Sequence, residues 1–219
     1  MDNLKLWQPS KKYFKNISPF SMIIIAGRKS GKSYMIKYLY MEYLKSLYDI
    51  TLVFTLSSKT KEYYEEFILI NGEESTCFLE ELPEDILQNI DVIQSQHEKP
   101  LRILIICDDM AGTDTKLNKG VINCFTRGRH SNVSIIFVTQ SPTLASNHIR
   151  QNCDVLAILN IRSYDARTFV SNNFISDYTE TKEDSMKLLA KLHNYNSLVV
   201  DYLCNDIYNY KAPNKYVHK

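Results

Sequence analysis

The chain has 219 residues and a mass of 25.5 kDa, room for one sizeable domain with a short appendage rather than two independent enzymes. With 44% hydrophobic and 23% charged residues, and only six Gly and six Pro, neither a disordered nor a fibrous chain is expected. A formal net charge of +1 excludes a surface that is basic throughout, so any nucleic-acid contact must come from a local patch.

In chain order, Leu4 to Pro19 alternates polar and aromatic residues around Pro9, Lys11, Lys12 and Lys15. It reads as an extended arm, residues 1–20, ahead of the domain. Met22–Ala26 is an uninterrupted apolar run, as expected of a strand covered on both faces. Ser33–Tyr48 carries apolar and aromatic residues at helical spacing. Ile50–Thr55 follows as a strand, Lys59–Ile70 as a helix, and Glu84–Gln96 as a helix opening after Pro83. Leu101–Cys107, Val133–Thr139 and Val155–Asn160 are further strands, with helices at Lys116–Thr126 and Leu144–Arg150 between them. A helix at Glu183–Leu192 and a strand at Leu198–Leu203 complete a domain over residues 21–203, and a polar, Tyr-rich tail occupies 204–219. Strands alternating with helices predict an α/β domain, a mainly parallel sheet with helices on both faces. Ligands of such a sheet bind beyond the carboxyl ends of its strands.

The apolar runs Met22–Ala26 and Ile103–Cys107 fall far short of the roughly 20 residues that cross a bilayer. The first residues lack the charged-then-apolar order of a signal peptide. A soluble chain that is not secreted and has no membrane partner is expected. Cys77, Cys107, Cys124, Cys153 and Cys204 are widely spaced with no C-x-x-C, which favours reduced core cysteines over a zinc site or a disulfide framework.

Two segments carry chemistry. After the first strand comes Ala26-Gly27-Arg28-Lys29-Ser30-Gly31-Lys32-Ser33, the P-loop form with Ala in place of its first Gly. Such a loop turns successive backbone N–H groups onto phosphates, and the helix that follows adds the partial positive charge of its N-terminus. A nucleotide site is therefore expected from Gly27, Arg28, Lys29, Ser30, Gly31, Lys32, Ser33 and Tyr34. Lys32 is placed to reach the β- and γ-phosphates, and the Ser33 hydroxyl to ligate Mg²⁺. Ala tolerates positive φ poorly, so Gly27 is expected to take up the turn. Arg28 either forks onto the γ-phosphate from within the chain or is an exposed loop residue.

The run Arg102–Cys107 then ends in Asp108 and Asp109. Two carboxylates at the end of a buried strand call for a cation. In a P-loop ATPase the first, Asp108, holds Mg²⁺ through its water shell, and the second, Asp109, polarises the attacking water. Gln140, in Thr139-Gln140-Ser141-Pro142 at the tip of Val133–Thr139, is assigned to sensing the γ-phosphate and orienting that water. Arg127 and Arg129, beside His130, follow a helix and precede that strand. From there an arginine can face a neighbouring subunit and stabilise transition-state charge there; Arg150 is a weaker candidate.

The order Ala-Gly-Arg-Lys-Ser-Gly-Lys-Ser, Ile-Leu-Ile-Ile-Cys-Asp-Asp-Met and Arg-Gly-Arg-His-Ser-Asn-Val-Ser-Ile-Ile-Phe-Val-Thr-Gln-Ser-Pro resembles the FtsK–HerA superfamily of P-loop ATPases. Within it, the chain is similar to the genome-packaging ATPases of poxviruses, giant DNA viruses and virophages, over roughly Ile23 to Asn160. The resemblance implies the class with its own catalytic acid and an additional strand, here Val133–Thr139, between the P-loop strand and the acid-bearing strand. It also implies ATP and Mg²⁺ as cofactors, a homo-oligomeric ring (pentamer or hexamer), double-stranded DNA as the cargo, and docking on a viral capsid vertex. The expected location is the viral factory in the host cytoplasm, with association to the virion. Asp109 stands where much of the superfamily has Glu.

DNA gripped by its phosphates needs only dispersed positive charge; Lys59, Lys61, Lys116 and Lys119 are candidates. The catalytic residues leave open another ring ATPase of this class, such as a plasmid-transfer motor or helicase. A small-molecule P-loop kinase is the reading from a different class, and a module that binds without hydrolysing is a further one.

Overall fold

The apolar runs that read as doubly covered strands are buried at every position in β1 (Ser21–Ile25), β4 (Ile103–Cys107) and β5 (Val133–Thr139). The computed structural model describes residues 4–68, 76–79, 82–108, 115–193, 195–213 and 215. The remaining strands are β2 (Ile50–Phe54), β3 (Thr76–Leu79), β6 (Val155–Ile158), β7 (Asn196–Asp201) and β8 (Asp206–Lys211). Among the described residues they form one sheet in the order β3-β2-β4-β5-β1-β6-β7-β8. From β3 to β6 neighbours run parallel, and β7 and β8 close the sheet as an antiparallel hairpin. β5 lies between β1 and β4, which is the additional-strand order.

The period-two rule divides the core in two. Ile23, Ile25, Ile103, Ile105, Ile135, Leu156 and Leu198 face one side, against α4 (Ile86–Ser95), α5 (Thr115–Arg127), α6 (Asn147–Gln151), α7 (Tyr164–Phe174) and α8 (Lys182–Ala190). Met22, Ile24, Leu104, Ile106, Ile136, Ala157 and Val199 face the other, against α1 (Lys11–Ile17), α2 (Lys32–Leu39) and α3 (Ser58–Ile68). After α2 the chain continues through a π-helical turn, Tyr40–Leu44, and a 3₁₀ turn, Lys45–Leu47.

The structure departs from the sequence expectation at both ends. Leu4–Pro19 is not an extended arm. Ser10 caps α1 by accepting from the Tyr13 amide, and Phe14 and Trp7 enter the second core cluster. Leu6 bridges to Asn209 in parallel register. The Tyr-rich tail contributes β8, whose Ile207 and Tyr210 are buried. Strand β3 and helix α7 were also not anticipated. No helix among the described residues is long and apolar enough to cross a membrane. Cys107, Cys124 and Cys153 are buried free thiols, as a reduced core requires, but Cys204 is exposed.

Candidate nucleotide site

Register brings the strand ends into one row. Ile25 of β1 stands opposite Thr139 of β5 and Ile158 of β6, and Cys107 of β4 stands opposite Phe137 of β5 and Phe54 of β2. The residues just past those ends therefore share the carboxyl edge of the sheet: Gly27 to Ser33 after β1, Asp108 after β4, Gln140 after β5 and Asn160 after β6.

The loop between β1 and α2 is tied to both neighbouring strands. The Ala26 amide donates to the Thr139 carbonyl at 3.0 Å, and the Gly27 amide to the Asn160 carbonyl at 3.0 Å. Gly27 is not the residue that takes up the turn. It is required because a Cβ there would lie 2.6 Å from the Asn160 oxygen. The left-handed positions are Lys29, with φ 58, and Gly31, with φ 96, which caps α2. Arg28 and Lys29 are exposed, while Ser30 is buried. The Ser30 hydroxyl has no hydrogen-bond partner among the described residues, so this loop holds a sequestered donor whose desolvation an anion's oxygen would offset. That orphan, the amide-lined turn and the helix N-terminus together fit a phosphate group.

Across β5, Lys32 and Asp108 meet. The ammonium lies 2.5 Å from Oδ1 of a carboxylate that is fully buried. The Tyr64 hydroxyl, on α3, donates to Oδ2 at 3.1 Å, and the Asp108 amide donates to the Phe54 carbonyl at 3.0 Å. Burial first, and the Asp108 charge second, hold the Tyr64 hydroxyl well above the ordinary tyrosine value, so it stays protonated and donates to the carboxylate. Burial likewise raises the Cys107 thiol, which stays neutral beside the carboxylate. On the same edge, the Tyr63 hydroxyl donates to the Ser33 carbonyl at 3.2 Å. The Tyr34 hydroxyl donates to the Pro213 carbonyl.

Of the expected site residues, Gly27 to Tyr34, Asp108 and the half-buried Gln140 are gathered on this edge. Asp109 lies outside the described residues. Arg127, at the end of α5, and Arg129 lie at the amino end of β5, and Arg150 precedes β6. At roughly 3.3 Å per residue, the length of β5 puts the two arginines about 20 Å from the edge where Lys32 sits. They cannot reach the site of their own chain. Arg127 is exposed, whereas Arg129 is paired with the buried carboxylate of Asp154, which also accepts from the Ser21 amide at 2.7 Å. Arg129 thus has a local partner at the start of the P-loop strand. Among the lysines considered for DNA, Lys119 pairs with Glu84 at 3.2 Å and Lys61 with Glu65 at 3.9 Å; the Lys116 side chain lies outside the described residues. Sequence reasoning missed Tyr64 and the Asn160 carbonyl. Neither carries a local signal, because each is defined by a contact across the sheet.

The fold has known relatives. The described structure superposes on B204, the DNA-packaging ATPase of Sulfolobus turreted icosahedral virus, with TM-score 0.68 and 14% identity, covering 90% of this chain and 98% of B204. The B204 NTPase of Sulfolobus turreted icosahedral virus 2, in complex with ATPγS, matches with TM-score 0.62 and 16% identity, covering 88% and 98%. The pCW3 conjugation coupling protein TcpA matches with TM-score 0.60 and 14% identity, covering 89% of this chain and 60% of TcpA. At such identities these likenesses establish the fold, a P-loop ATPase sheet. No curated protein matches the chain. The family described as Poxvirus A32 protein matches residues 11–207, from the first residue of α1 into β8 and past both ends of the segment that carried the resemblance. With most of its length so matched, the chain belongs to the poxvirus A32 protein family.

Proposed function

We infer that this chain is the ATP-hydrolysing motor that packages a double-stranded DNA genome into a viral capsid. The observation that carries the reading is the Lys32–Asp108 pairing across β5, in a chain of this family and fold. Those are the two charges a triphosphate and its magnesium would require, an ammonium for the phosphate oxygens and a carboxylate for the metal.

Each residue then has a task. The amides of the P-loop and the Ser30 hydroxyl receive the phosphates, and Lys32 neutralises the β- and γ-oxygens. Ser33 and Asp108 would hold Mg²⁺, and its charge would lower the barrier to phosphoryl transfer. Tyr64, donating to Asp108 Oδ2, orients the carboxylate so that Oδ1, the oxygen now paired with Lys32, is the one it would offer toward the metal. Asp109 polarises the attacking water and Gln140 orients it. Arg127 acts on a neighbour's site, because it is exposed and too distant from its own. Arg129 keeps its place against Asp154. An arginine supplied in this way requires an adjacent copy of the chain, and the family resemblance implies that five or six copies form a ring around the duplex, docked at a capsid vertex in the viral factory.

The test is phosphate release with and without double-stranded DNA, at several protein concentrations, with Lys32→Ala as control. DNA stimulation that rises more steeply than protein concentration is the expected result, since each site draws an arginine from next door. Stimulation by a nucleoside or another small acceptor, with no response to DNA, would point to a kinase instead.

A further inference from the structure

Tyr195 stands at the turn before β7, on the same edge as the P-loop. Its backbone is left-handed, φ 65, a region that an aromatic residue rarely adopts. Its side chain is 57% exposed. The ring nevertheless packs on the loop: its Cδ1 lies 2.2 Å from where a Cβ on Gly31 would be. Gly or Asn would hold such a turn with less strain, so an exposed ring is kept there against the local backbone preference.

Strand order gives the ring a direction. Asp108 follows β4, two strands from β1 on one side; Tyr195 precedes β7, two strands from β1 on the other. A nucleotide whose terminal phosphate points at Lys32 and Asp108 must carry its nucleoside away from β4, toward β6, β7 and β8. On that side Asn196 of β7 stands opposite Lys211 of β8, and the chain beyond β8 is fastened beside the loop. The Tyr34 hydroxyl donates to the Pro213 carbonyl, and Lys215 pairs with Glu42 at 2.7 Å.

We propose that Tyr195 is the stacking platform for the nucleobase of the bound nucleotide, with Ala212 and Pro213, just past β8, as the neighbouring wall. A ring anchored on Gly31 presents a rigid apolar face to a base at little entropic cost, and stacking of this kind accepts a purine better than a smaller base. The assignment rests on the nucleotide reading above and adds the position of the base to it.

Binding by the full-length chain distinguishes the two. The probes are a slowly hydrolysed ATP analogue with Mg²⁺ and inorganic triphosphate with Mg²⁺, measured by calorimetry. Tyr195→Asn suits the left-handed turn, and Tyr195→Gly is a second variant that relieves it; both are expected to melt no lower than the native chain. In either, analogue binding should weaken about tenfold while triphosphate binding changes less than about twofold, and Tyr195→Phe should bind the analogue within about twofold of native. Unchanged analogue binding in the Asn and Gly variants overturns the proposal. Equal weakening of analogue and triphosphate also overturns it, by showing that the ring acts only through Gly31. If the native chain bound neither probe, the nucleotide reading itself would fall.

Discussion

Asp108 shows how a single buried charge dictates its surroundings. With no exposed surface, its oxygens are satisfied by the Lys32 ammonium and the Tyr64 hydroxyl, and removing either partner leaves a buried charge short of compensation. Lys32→Ala should therefore lower the unfolding free energy by about 2–3 kcal/mol, toward the low side for a buried pair because the lysine keeps some contact with water. Adding Asp108→Asn should restore most of that loss. Urea unfolding of the two single variants and the double variant measures the coupling; strictly additive losses would mean that the pair contributes nothing as a pair. At this scale the sequence was informative wherever a residue's role is set by its neighbours in the chain. Lys32 and Ser33 follow from the P-loop spelling, and Asp108 from its place after an apolar run. Tyr64 and Tyr195 have no such mark. Tyr63 and Tyr64 look alike in the sequence, and only the packing of α3 under β4 selects Tyr64 for the carboxylate.

Among the elements, α1 separates local from tertiary determinants most clearly. Its seven residues, Lys11–Ile17, make less than two turns, too few for a helical period to declare itself against the flanking polar residues. The helix exists because Phe14, fully buried, packs against Phe20, Tyr43 and Trp7 with ring centroids 5.3, 6.0 and 6.2 Å away. Phe14→Ala should cost about 3–5 kcal/mol, the range for emptying a packed aromatic site, read from chemical denaturation. A loss below about 1 kcal/mol would restore the picture of a dangling arm. The other unanticipated elements have the same origin. β8 has only two buried positions, Ile207 and Tyr210, and pairs because β7 offers it an edge. α7 buries Val170, Ser171 and Phe174 among polar residues, and its apolar stripe is too thin to stand out. By contrast β1, β4 and β5 are buried throughout, and continuous apolar runs announce such strands without help from the rest of the fold.

For the molecule as a whole, burial sets a limit on alkaline stability. Tyr13, Tyr64, Tyr202 and Tyr210 all have hydroxyls raised above the ordinary value of 10.0, by burial first; Asp201 adds to the effect at Tyr13 and Asp108 at Tyr64. A raised folded-state value means that the native state keeps its protons after the unfolded chain has begun to lose them. The stabilisation is complete below pH 10 and drains away as pH rises above it. Each such tyrosine removes up to about 1.4 kcal/mol per pH unit in that window. The urea midpoint should hold steady to about pH 9.5 and fall steeply by about pH 11, and Tyr13→Phe, which has no proton to lose, should flatten the fall. A midpoint unchanged at the higher pH would contradict the burial of these groups.

What the sequence determined by itself is the chemistry that depends on adjacent residues: the apolar strands, the loop that turns its amides toward phosphate, the acid at a strand's end. These follow from the backbone's few allowed conformations and from the alternation of side chains, which act over a handful of residues. The place of β5 between the strands of Lys32 and Asp108 was implied by the family resemblance and is met by the sheet. Only the tertiary structure decided that Tyr64 and Asn160 join the site, that Arg129 is held by Asp154, and that Arg127 and Arg129 sit at the far edge, beyond reach of their own nucleotide loop. Those relations join residues dozens of positions apart, and they exist because strand pairing and the burial of two core faces brought them together.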